Sequence, residues 1–205
     1  MVGGRRLHAE LLEDRRLLTV AALVDASSVL QVSIAGTDTA QVGVDATNHV
    51  VVKDSTNAIV FSGPVAGLVA GINVAPAGTN DIVDLTGVGA STEFTGLAAV
   101  NVSAAAGATT FLSGSITTSG PQLYAPNVLL TGDTVLSSTT GNIGFGGVIE
   151  ANGSPHNLEI HSLGAVFSGN VGDAPGGELG LLTTNGTGIS VINAPVIKAA
   201  TLTFN

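Results

Sequence analysis

The 205-residue sequence has no cysteine, no tryptophan and one tyrosine, and sets 6 Lys and Arg against 15 Asp and Glu. Without cysteine there is no disulfide framework and no thiolate metal site, so packing must hold the fold. Aromatic residues make up 3%, too few for the stacking platforms common in sugar-binding modules. Four of the six bases, Arg5, Arg6, Arg15 and Arg16, precede Thr19, leaving Lys53 and Lys198 to the rest of the chain. An acidic surface of that kind repels phosphate backbones and anionic bilayers, which argues against a nucleic-acid partner. No run reaches the roughly 18 apolar residues that a membrane-spanning helix requires. Nor is there a nucleophile constellation, a Walker-type phosphate loop or a dinucleotide-binding glycine turn.

What remains is Val, Ala, Leu and Ile interleaved with Ser, Thr, Asn and 28 glycines. Small and β-branched side chains tile a pleated surface, and Gly, Asn and Asp supply turns. Short stretches of alternating or apolar residues separated by turn residues read as strands: Val29 to Ile34, Val42 to Val44, Val50 to Val52 and Ile82 to Leu85. Later examples are Val100 to Val102, Val128 to Leu130, Leu158 to Ile160, Ile189 to Ile192 and Leu202 to Phe204. Only Met1 to Val24 has helical character, with Leu7, Leu11 and Leu12 spaced along one face. That segment reads as an export signal built on Arg15, Arg16 and the apolar run Leu17 to Val24, or as a frayed amphipathic terminus.

Internal repetition favours a solenoid over a sandwich. Phe61, Phe94, Phe145 and Phe167 are each followed two residues later by glycine, at Gly63, Gly96, Gly147 and Gly169, and Phe111 is followed three later by Gly114. Successive Phe positions lie 33, 17, 34, 22 and 37 residues apart, one or two units of about 20. The expected fold is all-β, a right-handed parallel β-helix or β-solenoid behind a short helical or disordered N-terminal segment. The expected division is 1–24 for that segment, 25–112 for a first β-rich region and 113–205 for the β-strand-repeat region. The alternative is a two-sheet sandwich over Asp25 to Ala105 with a solenoid after it.

Two resemblances bear on function. Leu12, Glu13, Asp14, Arg15, Arg16, Leu17 and Leu18 resemble, consecutively, the LEDRRLL or LEPR-XLL sorting segment near the start of large exported proteins of planctomycete bacteria. Gly114 to Tyr124 (GSITTSGPQLY), Asp133 to Leu136, Gly141 to Gly147 (GNIGFGG) and Phe167 to Gly169 are similar, in order, to the β-strand repeats of filamentous-adhesin-like and autotransporter-like surface proteins. These resemblances imply a secreted or cell-surface protein with a structural or adhesive role and no catalysis. They also imply cell-surface or extracellular matrix partners. The Phe-x-Gly pattern is cut at Phe204 and Asn205, so the chain is expected to be a fragment of a longer array that continues in further repeats.

Two alternatives remain. Gly78 to Val88 resembles degenerate calcium-roll sequence, but aligning Asp81 puts Ala77 and Thr79 where glycines belong, so no cofactor is expected and calcium is the outside choice. Asp81 and Asp84, the weak metal candidates, are also the carboxylate pair that a β-helix enzyme acting on polysaccharide would use. Glu159 and His161 are expected to share an outer strand face with Asn157, while Leu158 and Ile160 point inward.

Overall fold

The computed structural model describes residues 19–205. The LEDRRLL segment, Leu12 to Leu18, lies outside them. In chain order the first strands are β1 (Val20–Val24), β2 (Val29–Ile34), β3 (Thr39–Val44), β4 (His49–Lys53), β5 (Ile59–Val65), β6 (Gly71–Pro76) and β7 (Ile82–Asp84). A four-residue helix, α1 (Thr86–Gly89), follows. Then come β8 (Ala99–Val102), β9 (Thr109–Thr118), β10 (Gln122–Tyr124), β11 (Asn127–Ser138), β12 (Ile143–Phe145) and β13 (Ile149–Ala151). The last are β14 (Leu158–Ser162), β15 (Ala165–Phe167), β16 (Leu179–Gly186), β17 (Val191–Ile192) and β18 (Ala199–Phe204).

These strands coil into a β-solenoid of about six turns. One sheet runs β1-β2-β6-β8-β10-β12-β15-β17 and the other runs β18-β16-β14-β11-β9-β7-β3-β4-β5, with β13 also on β11. From β2 and β3 onward each pairing toward the C-terminal side is parallel, so residues of successive turns stack in register. The long strands β9 and β11 bend at Gly114 and between Leu130 and Thr134. Beyond the bend their two arms continue through separate strands, β13 on one and β14 on the other, which gives those turns three walls. Gly114 needs its glycine twice over: its φ is +75°, and a Cβ would stand 2.3 Å from the carbonyl oxygen of Gly89. Residues 112 and 113 fall inside β9, at the bend where the β9–β11 register shifts. The parallel ladder β2-β6-β8 also already occupies Asp25 to Ala105, so no separate sandwich forms there.

The core consists of vertical columns, because a parallel register puts each inward residue on its counterpart one turn away. Val32, Val74, Val102, Tyr124, Phe145 and Phe167 make one such column, with Ile192 exposed on its C-terminal side. Its steps of 22, 21 and 22 residues from Val102 to Phe167 are the true repeat length. Ile116, Leu136, Ile160, Thr184 and Phe204 make another on the facing wall. Each fully buried aliphatic side chain contributes about 1.5–3 kcal/mol. In the first column Tyr124 stacks on Phe145 with ring centroids 5.7 Å apart, and Phe145 on Phe167 at 5.4 Å.

The phenylalanines expected to mark the repeat divide on inspection. Phe145 and Phe167 occupy equivalent stacked positions, and Tyr124 is their counterpart one turn earlier. Phe61 lies half-buried in β5, Phe94 fills the core from the loop after α1, and Phe111 points outward in line with Asp84 and Leu129. Gly147 and Gly169 do allow a tight corner, through close approach of stacked backbones: a Cβ on Gly169 would lie 2.4 Å from the Gly147 carbonyl oxygen.

Antiparallel pairing closes the N-terminal side, where β1 pairs with β2, β3 with β4, and β4 with β5. One turn chemistry makes all three hairpins. Asp25, Asp45 and Asp54 each accept hydrogen bonds through Oδ1 from the backbone N–H two and four residues on, at 2.8–3.1 Å. The residue three places after each aspartate, Ser28, Asn48 or Asn57, takes a positive φ near 60°. Asp25 also anchors a ladder of amides on the outer face: it accepts from Gln31, Gln31 from Asn73, and Asn73 from Asn101.

These turns set an acid sensitivity. Hydrogen bonds hold two carboxyls below the ordinary aspartate range, led by the Gln31 amide at Asp25 and the Thr47 hydroxyl at Asp45. A folded-state value below the unfolded one contributes stability that is complete above the unfolded pKa and disappears as pH falls through the folded one. Melting temperature is therefore expected to hold steady from about pH 7 to pH 5 and to drop below about pH 4. Asp25→Asn with Asp45→Asn should flatten that acid limb, and an unaltered limb in the double variant would count against the turns as its source.

Candidate functional site

The main concavity lies on the outer face of the second sheet near its N-terminal side. In that turn α1 and residues 90–97 stand where later turns carry the second arm of the sheet. The helix sits hard against β3: a Cβ on Gly87 would lie 2.7 Å from the Val42 carbonyl oxygen and 3.0 Å from Gly43 Cα. Gly89 is as tightly seated, since its Cβ would meet the Ser113 carbonyl oxygen at 1.8 Å. Between this wall and the β3–β4 hairpin a cleft of about 540 Å³ opens. Ordinary ligand sites occupy about 300–1,000 Å³.

Register supplies its floor. Asp84 pairs with Gln41, and Gln41 with Lys53, so three polar side chains form one row across β7, β3 and β4. With strands about 4.8 Å apart, the backbones of Asp84 and Lys53 stand about 10 Å from each other. Asn48, Thr86, Ser91, Thr92 and Glu93 complete the polar lining, and Val51 floors it at 5% exposure. Asp84 is held by Thr86, whose N–H and hydroxyl donate to its Oδ1 at 2.9 and 2.7 Å. A neutral hydroxylated molecule, or one bearing a single opposite charge, finds donors and acceptors on both walls.

Asp81 and Asp84 do not form a pair. Three residues apart across an extended strand, they lie on opposite faces, with Asp84 lining the cleft and Asp81 fully buried. Asp81 accepts from the N–H groups of Gly78 and Asp38, at 2.8 and 3.3 Å. Asp38 stacks one turn away and accepts from the N–H groups of Thr39 and Ser55 and from the Thr19 hydroxyl. Asp81 of the calcium-roll-like segment and Asp38 beside it thus both face donors, the reverse of the oxygen cage that calcium takes. Among the described residues no three His, Asp or Glu side chains converge.

Asn157, Glu159 and His161 alternate with buried Leu158 and Ile160 as the pattern implied, and His161 Nε2 lies 2.9 Å from Glu159 Oε1. His156 sits beside Asp133, at 4.0 Å.

Fold and site together define a β-solenoid with a lateral, mixed-polarity cleft. Comparison with protein-family models, with curated proteins and with solved structures returns no match.

Proposed function

We propose that the chain is an exported structural or adhesive protein of the cell surface, built from stacked β-repeats and without catalytic activity. The observation that carries this reading is the pair of parallel ladders. They run from β2 to β17 and from β3 to β18 around a core that, among the described residues, holds no lysine or arginine. Such an array makes a stiff spacer with long side faces available for contact, and the LEDRRLL resemblance supplies the export element. Cell-surface or extracellular matrix components are the expected partners. An epitope-tagged chain in its native host should be found in the envelope or medium and should be cut by protease added to intact cells. Recovery only from the cytosol would overturn the proposal.

The cleft favours one second reading, a β-helix enzyme acting on polysaccharide, with Asp84 and Glu93 as its acids. Turnover of a polysaccharide substrate that disappears in Asp84→Ala would establish it in place of the first.

A further inference from the structure

We infer that the cleft between the β3–β4 hairpin and α1 is a binding site for a neutral glycan. The inference rests on the geometry of the cleft and holds whether or not the chain is exported.

Among the described acids, nearly every carboxylate is occupied inside the protein. Aspartates 25, 38, 45, 81, 84, 133 and 173 all accept hydrogen bonds, Glu150 accepts from the Ala174 N–H, and Glu159 meets His161. Asp54 is bonded in its turn. Lys198 itself is paired with Asp173 at 2.8 Å. Three charged groups of the described residues stand outside this pattern, the Glu93 and Glu178 carboxylates and the Lys53 ammonium, and two of them, Glu93 and Lys53, line the cleft. The side-chain amides of Gln41 and Asn48 also have no partner among the described residues and line it too. The cleft therefore brings together two unpaired charges of opposite sign and two unpartnered amides on one face.

The mixture selects the ligand. A sugar hydroxyl both donates and accepts, so adjacent hydroxyls are matched by a wall that alternates acceptors with donors. Here Glu93 and the free Oδ2 of Asp84 accept, the Lys53 ammonium donates, and the two amides do both. Two carboxylates against one ammonium leave the cleft slightly negative in a chain of net charge −9, which disfavours a uronate-rich polymer. Without an aromatic platform the affinity is modest, with a dissociation constant of about 0.1–5 mM for a hexasaccharide.

The test is an amide-resolved NMR titration of the whole chain with cellohexaose, mannohexaose, hexa-N-acetylchitohexaose and, as the acidic arm, hexagalacturonate. At least one neutral hexaose should shift Gly43, Lys53, Gly87 and Glu93 saturably. Glu93→Gln and Lys53→Met, both on the surface and checked for unchanged circular dichroism, should each weaken it by about tenfold. Three results would each overturn the inference: no saturable shift with any neutral hexaose up to about 20 mM, tighter binding of hexagalacturonate, or equal affinity in both variants.

Discussion

Phe145→Ala is expected to cost about 3–5 kcal/mol, the usual range for deleting a fully buried phenylalanine. The ring is 1% exposed and lies between Tyr124 and Phe167, with interplanar angles of 19° and 9°. Its loss removes two stacking contacts and leaves a cavity that parallel backbones spaced about 4.8 Å apart cannot close. Phe111→Ala is the matched control, because Phe111 carries the same side chain on the outer face and should cost about 1 kcal/mol. Urea unfolding of both variants measures the difference. Equal losses would mean that the column is not where the stability lies.

Gln122→Ala should be nearly as damaging, at about 2–4 kcal/mol, for a different reason. Gln122 is buried at a core position between Val100 and Ile143, where its Nε2 donates to the carbonyls of Ser137 and Ile116 at 2.8 and 3.1 Å. Its Oε1 accepts the Tyr124 hydroxyl at 2.9 Å. Alanine would strand that hydroxyl and two carbonyls in a dry interior. Tyr124 is the single tyrosine, and burial pushes its phenol well above its ordinary value. An absorbance titration therefore reads one group. In the parent protein phenolate should appear only with alkaline unfolding, and in Gln122→Ala that transition should move to lower pH.

Strand period was the most readable part of the sequence. Val29 to Ile34 matches β2 residue for residue, and the cores of β4, β8, β14 and β18 follow from the same alternation. Gln122 ran against it, because a polar residue read by hydrophobicity belongs outside, and only the facing carbonyls explain why it lies within. The hairpin turns were legible too, as an aspartate followed two residues later by Ser or Thr and three later by Ser or Asn. The signal is short and recurs only at residues 25, 45 and 54, apart from the phenylalanine spacing that dominated the repeat reading. Strand parity alone would have separated Asp81 from Asp84. The cleft was beyond reach, since it depends on a register that sets Asp84 beside Gln41, 43 positions earlier, and on a helix standing in for a strand.

The three aspartate turns also bear on the order in which the structure is assembled. Each hairpin closes a loop of a few residues, whereas each parallel rung must bring together positions 18 or more apart before any contact forms. Loop-closure entropy makes the first kind of event cheaper, and hairpins form in about 1–10 μs. The antiparallel segment is accordingly the natural nucleus. Once formed, it offers β2 and β3 as ready edges on which every later turn is laid down, so that growth proceeds in the direction in which the chain is synthesised.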